Sequence, residues 1–306
     1  MLLFIISCKG ARPMKKRIFD YTSEDVRVAS REQIVTSIRN SEGRTIMVEN
    51  VVSITPPIDL VSGPEIAAAF GADMITLNCL DVMNPQIKVL SEISDEYLSI
   101  EEVKKLTGRL IGCNLEPIPT GVGNVDIGRT VTKETVEKAV ELGLDYVMLT
   151  GNPGNCVTQE TILDAIGLVR SVSKDIIVVA GKMHAGGVGN DYNLSIVPGF
   201  AEAGADIMMF PAPYTTPGVC ADTAKEMMSA VHASGMLGML AIGTSQEGAT
   251  ESYIEQVAMA SKAAGADIVH IGDGGYSGIA PPENIMRLGV TLRGRRHQFK
   301  RMINRR

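Results

Sequence analysis

The sequence predicts an α/β protein of the (β/α)8, or TIM-barrel, class, with an N-terminal helical extension and a basic C-terminal helix. Three observations predict it. One phrase recurs four times, a helix-like stretch, then Gly-(Ala/Leu)-Asp, then an apolar run, at Gly71-Ala72-Asp73, Gly143-Leu144-Asp145, Gly204-Ala205-Asp206 and Gly265-Ala266-Asp267. A Gly in the left-handed conformation ends a helix without a Cβ clash, and the continuously apolar run that follows is what a parallel strand covered on both faces requires. Eight such short runs alternate with helical periodicity along 306 residues. Polar side chains gather where the runs end, which is where barrels of this class build their sites.

The elements follow in order. Residues 1–44 are expected to form an extension covering the barrel, with a helix over Ser30–Ile38, and residues 45–306 the barrel domain. The expected strands are Thr45–Val52, Met74–Leu80, Arg109–Glu116, Tyr146–Thr150, Asp175–Gly181, Asp206–Phe210, Met236–Gly243 and Asp267–Gly272. Thr132 and Thr158 are N-cap residues for the helices after them, and Pro282 is preorganised for a first turn. The Gly-x-Asp copies precede only the second, fourth, sixth and eighth strands. That is the pattern of a fourfold repeat, arising by duplication or by shared helix-stop physics. A doubly wound sheet is disfavoured because no Gly-x-Gly-x-x-Gly turn follows an early strand.

Composition narrows the class. A net charge of −6 argues against a general nucleic-acid binder. Arg293, Arg295, Arg296, Lys300, Arg301, Arg305 and Arg306 form a basic end, read as a solvated final helix with cations near its C-terminus, or as a partner-binding tail. Cys8, Cys79, Cys113, Cys156 and Cys220 are scattered and include no CxxC pair, as in a reduced, cytoplasmic protein. Leu2–Cys8 faintly resembles a lipoprotein signal, but its apolar core is short and no basic residue precedes it, and a start at Met14 would exclude it. No apolar run reaches the roughly 20 residues of a membrane span. Met-rich helices are compatible with a homo-oligomer.

The strand ends carry the chemistry. Lys182 and His184 close strand five, and alternation is expected to put them on one side. A desolvated Lys at a barrel mouth can form a Schiff base with a carbonyl, and a nearby His can move protons. Lys182 holding an anion, or pairing with Glu116, is the structural alternative. Asn114 and Glu116 close strand three, with Glu116 a candidate general base. Asp273 closes strand eight; if it points inward, His270 is expected to face the helices as a core histidine. Glu116, His184 and Asp273 together could ligate a divalent metal, but the spacing carries no dedicated signature, and no cofactor is expected. Asn78, Asn114 and Asn152 are candidate substrate contacts. Gly243, Thr244 and Ser245 after strand seven, and Gly274 and Gly275 after strand eight, form loops that suggest phosphate binding, although Glu247 and Asp273 would repel an anion they faced. Gly121-Val-Gly-Asn124 and Gly187-Val-Gly-Asn190 are long loops of the kind that form lids.

Gly181-Lys-Met-His-Ala-Gly-Gly187 and Glu283–His297 resemble an uncharacterised family of bacterial TIM-barrel proteins, over nearly the full chain. Members have carried the labels phosphoenolpyruvate phosphonomutase and haloacid-dehalogenase-like hydrolase. The second label needs an Asp-x-Asp nucleophile pair that this sequence lacks. The first shares the barrel class, without an acidic cluster that maps onto its metal site.

Three readings follow. The first is an aldolase-like lyase acting on a small phosphorylated carbonyl compound, a sugar phosphate, through a Lys182 Schiff base. The second is an acid–base isomerase or epimerase of the same substrate class using Glu116 and Asp273. The third is a non-catalytic phosphate-ligand sensor.

Overall fold

The eight apolar runs become eight parallel strands of one closed barrel, each paired with the next and the last with the first. They are β1 (Thr45–Val51), β2 (Met74–Asn78), β3 (Leu110–Leu115), β4 (Tyr146–Leu149), β5 (Ile177–Gly181), β6 (Ile207–Pro211), β7 (Leu237–Ile242) and β8 (Ile268–Ile271). Closure pairs Thr45 with Ile268. The structure, a computed structural model, describes residues 16–89, 96–119, 122, 125–152, 154–184 and 192–303. The signal-like stretch at Leu2–Cys8, the alternative start at Met14 and most of the two long loops at 121–124 and 187–190 lie outside the described residues.

Ten helices among the described residues surround the strands: α1 (Ser23–Val28), α2 (Arg31–Arg39), α3 (Gly63–Ala69), α4 (Ile100–Thr107), α5 (Lys133–Glu141), α6 (Gln159–Val172), α7 (Val197–Ala203), α8 (Ala221–Ala233), α9 (Glu251–Ala264) and α10 (Pro282–Met302). Thr132 and Thr158 cap α5 and α6 through reciprocal boxes with Thr135 and Thr161, each cap worth about 1 kcal/mol. A small hairpin of Ile87–Val89 with Glu96–Leu98 has strands too short for alternation to reveal. None of these helices is long and apolar enough to cross a membrane.

The fourfold phrase has a physical explanation. Gly71, Gly143, Gly204 and Gly265 all have positive φ, as helix stops require. Asp73, Asp145, Asp206 and Asp267 then accept the N–H of Ile46, Ile111, Val178 and Gly238, at 2.8–2.9 Å. Each Asp returns its own N–H to the carbonyl of that same residue. Every even strand is thereby tied to the start of the odd strand before it. Each carboxylate also faces basic side chains: Asp73 meets Arg293 and Arg301, Asp145 meets Lys104, Asp206 meets Arg31 and Arg170, and Asp267 meets the imidazole of His232. A net contribution of about 1.5–3 kcal/mol for a hydrogen bond to a charged group makes this ring of ties a large part of the barrel's lower rim.

The N-terminal segment plugs that rim. Ile18, Val26, Ile34 and Ile38 pack in one cluster with Leu110, Ile177, Leu237 and Ile268 at the strand starts. The basic C-terminal helix departs from the expectation of a solvated face. It kinks at Gly294 (φ 72°), and Arg293 and Arg301 turn inward to the buried Asp73, at 2.9 and 2.7 Å. Arg293 also donates to the Gly71 carbonyl. Arg295 and Arg296 remain exposed.

The barrel register fixes which faces of β5 and β8 point inward, and it corrects the expected direction of His270. Ile177, Val179 and Met183 belong to the interior cluster, whereas Val178 and Ala180 pack outside against the helices. Lys182 follows the end of β5, and its charge acts on both Glu160 at the start of α6 and His184. In β8, Val269 and Ile271 pack outside while Ile268 lies inside, so His270 faces the interior, where it is completely buried.

Candidate active site

A cavity of ≈ 490 Å³ opens at the C-terminal ends of the strands, lined by side chains from most of the barrel units. Its acidic wall comes from Glu49 of β1, Glu247 of the turn Gln246–Gly248 after β7, and Asp273 after β8. Glu49 continues the inward alternation of Met47, so a strand buried on both faces delivers a carboxyl into the barrel. Glu247 is placed by α10, where Asn284 donates to the carbonyls of Glu247 and Ala249 at 2.7 and 2.8 Å.

Burial without a cationic partner governs the protonation of this wall. Glu49 is pushed up to about 8 by desolvation first, then by the charges of Glu247 and Glu116. Asp273 is pushed up to about 7 by desolvation and by Glu49, against the 2.7 Å hydrogen bond it accepts from Asn78. Glu247 is raised chiefly by desolvation. His270 Nε2 lies 3.1 Å from Glu49 Oε2, off the hydrogen-bond direction. Desolvation holds that imidazole down to about 4. Burial thus favours the neutral form of both Glu49 and His270 and brings the titration of Asp273 up toward neutral pH.

The opposite wall is made of amides and hydroxyls. Asn78 donates to Asp273 and accepts from Asn114 at 3.3 Å and from Asn152 at 3.4 Å. Thr150, Thr215 and Thr216 complete it, and His184 and Met183 close one side. His184 is lowered by desolvation and then by the charge of Lys182.

The expected site residues are thus partly gathered. Asn78, Asn114, Asn152, His184, Thr244, Ser245, Asp273 and Gly274 line the cavity; Lys182, Glu116, Gly243 and Gly275 are not among its described lining residues. Glu116 is occupied elsewhere. It pairs with Arg129 at 3.2 Å, not with Lys182 as sequence suggested. It also accepts from the backbone and amide of Asn152, both at 2.8 Å, and from Asn155 at 2.6 Å. Its carboxylate shapes the Asn152 loop. The loops expected to hold phosphate have other contacts: the Gly274 N–H donates to Glu247 at 3.3 Å, and the Thr244 hydroxyl lies 2.8 Å from the Thr215 carbonyl and beside Gln246. A Cβ on Gly275 would lie 1.8 Å from the Ile279 carbonyl, so the glycine there serves close packing. No three His, Cys, Asp or Glu side chains among the described residues are placed to hold a metal ion together.

Sequence reasoning passed over Glu49 and Glu247 as catalytic candidates. The signal for Glu49 was an acid following the apolar run Ile46-Met-Val48 within a buried strand. Strained backbone marks the same rim: Cys79, Tyr214, Thr244 and Ser245 have φ of 59°, 70°, 59° and 69°, a conformation that costs non-glycine residues about 1 kcal/mol or more and clusters at functional sites.

A family profile described as a domain of unknown function, DUF7916, matches residues 19–306. The chain belongs to the DUF7916 family. No curated protein matches the sequence. The DUF7916 barrel is similar in fold to 2,3-dimethylmalate lyase, a PEP mutase/isocitrate lyase superfamily member, at a TM-score of 0.50 and 14% identity over 80% of this chain and 78% of that one. An archaeal fructose 1,6-bisphosphate aldolase matches at 0.48 and 17%, over 82% and 94%. Thiamine phosphate pyrophosphorylase from Pyrococcus furiosus matches at 0.45 and 12%, over 82% and 96%. At these identities the likeness is one of fold, and function has to be argued from the site.

Proposed function

We propose that the barrel mouth of this DUF7916 protein catalyses proton transfer on a small carbonyl compound, as an acid–base lyase or isomerase. Asp273 removes and returns a proton beside the carbonyl, and Glu49, held protonated, donates toward the developing oxyanion. The observation that carries this reading is the convergence of three desolvated carboxyl groups on one cavity, two of them titrating at about 7 and about 8. Carboxyls tuned to the operating pH are what general acid–base chemistry requires. Asn78, bonded to Asp273, orients the base, and Glu116 holds the Asn152 loop against Asn78. The test is solvent deuterium incorporation into a panel of small aldehydes, ketones and keto acids, followed by NMR. Exchange that is lost in Asp273→Asn supports the reading; undiminished exchange in that variant contradicts it.

The Schiff-base lyase is the second reading. It is favoured by the position of Lys182 beside His184, which lines the cavity and feels the lysine's charge. Borohydride treatment with the same panel would leave a reduced adduct on Lys182 if this reading is right, and an unmodified Lys182 with a turned-over substrate would end it.

A further inference from the structure

His270 is completely buried in the barrel interior, and neither of its ring nitrogens has a hydrogen-bond partner among the described residues. Its register neighbours, Met47 on β1 and Ala241 on β7, are apolar members of the interior cluster. Tyr146 of β4, in the same cluster, is engaged with Thr76 at 2.9 Å. The Glu49 carboxyl does come within reach, with Oε2 at 3.1 Å from Nε2. That separation suits a hydrogen bond and the direction does not, so the contact stands unmade. Catalytic hydrogen bonds are often poorly aligned in an empty site and tighten as the reaction proceeds, and the terminal torsion of a glutamate is broad enough to swing an oxygen into line. The charges of Glu247 and Asp273 also act on the ring, and those of Glu247 and Glu116 act on Glu49. A neutral imidazole carries one N–H donor and one acceptor. With the proton on Nδ1, a buried N–H would face no acceptor, and Nε2 would compete with a substrate for the Glu49 proton. With the proton on Nε2, the donor faces Glu49 Oε2 and the carboxyl proton is left to Oε1. Orphaned buried N–H groups are rarer than under-satisfied acceptors, which favours the second arrangement.

We propose that His270 is a positioning residue for the acid–base step: it holds the Nε2–H tautomer, keeps the transferable proton of Glu49 on Oε1, and donates to Oε2 as the carboxylate forms. The proton passes from Oε1 to the substrate oxygen, the electrons of the broken O–H bond stay on the carboxyl group, and Nε2 keeps its hydrogen throughout. A hydrogen bond to an ionised acceptor is stronger than one to a neutral acceptor, so the contact favours the state in which Glu49 has given up its proton. His270 is not among the described lining residues of the cavity, and it acts through Glu49 rather than on the substrate. This assignment rests on the acid–base reading of the same cavity and adds what prepares its acid.

The test uses the full, unliganded chain with nitrogen-labelled histidines, read by long-range proton–nitrogen correlation NMR across neutral pH. The chain holds four histidines, and the signals lost in His270→Gln belong to His270. They are expected to show a neutral ring protonated at Nε2. The carboxyl-carbon midpoint of Glu49, assigned through Glu49→Gln, is expected to rise by about one pH unit or more in His270→Leu. It is expected to return toward the unaltered value in His270→Gln, whose amide reaches as far as Nε2; a packing role alone would not separate these two variants in that direction. Should they fail to fold, substitution of His184, His232 and His297 assigns His270 by elimination, and its tautomer in the unaltered protein decides. An Nδ1–H tautomer, an imidazolium at pH 7, or an unmoved Glu49 midpoint in His270→Leu overturns the assignment. None of these readouts touches the deuterium-exchange test of Asp273, so the two claims fail separately.

Discussion

Glu49 Oε2 and His270 Nε2 lie 3.1 Å apart inside the barrel, and burial favours the neutral form of each. Desolvation opposes charging either group: both are buried, and the nearby charges on Glu247 and Glu116 further oppose ionising Glu49. The pair stores a proton at the floor of the cavity, within the electrostatic reach of Asp273.

Activity should follow a bell-shaped pH profile. The base form of Asp273 is gained as pH rises through about 7, and the acid form of Glu49 is lost as pH rises through about 8. Rates measured from pH 5.5 to 9.5 should peak between these limbs. Asp273→Asn should lower the rate by about 10²-fold or more without changing the fold.

Stability should carry the same signature. The pKa of Glu49 is raised on folding, so the folded state holds its proton while the unfolded chain releases it. The cost is absent below about 4.5, grows as pH rises, and is complete above about 8. Glu49→Gln, an uncharged near-isostere, should therefore raise stability relative to the unaltered protein at pH 9, on the order of a few kcal/mol, and change it little at pH 5. Urea melts at the two pH values measure this. His270 acts in the opposite sense: its depressed pKa makes the fold lose stability as pH falls from 6.5 toward 4.

Arg293→Ala should destabilise the protein by about 3–5 kcal/mol, because it leaves Asp73 without one of its two cations in a completely buried site. Arg295→Ala and Arg296→Ala, on the exposed side of the kink, should fall within about 0.5 kcal/mol of the unaltered protein. Thermal melts of the three variants separate a structural lock from a partner-binding tail.

The strands were legible because a parallel strand buried on both faces reads as an unbroken apolar run. The same property hid their register. In Ile177-Val-Val-Ala-Gly181 both faces are apolar, so nothing local distinguishes the interior, and the place of Met183 in the cavity wall was not anticipated. His270 was misdirected for the same reason. The role of Arg293 depends on Asp73, 220 residues away, and charge runs are silent about such partners. Asn78, Asn114, Asn152 and Asp273 were legible as cavity positions because strand ends are where barrels gather polar groups. The proton affinity of Glu49 was not, since desolvation is set by everything packed around a carboxyl rather than by its neighbours in sequence.

The most direct test of the account is a carboxyl-carbon NMR titration of the unliganded protein, with Asp273→Asn identifying the Asp273 resonance. The account predicts a midpoint near 7 for Asp273. A midpoint near the ordinary value of 3.8 would show a solvated, ionised carboxylate and would contradict the proposed acid–base site.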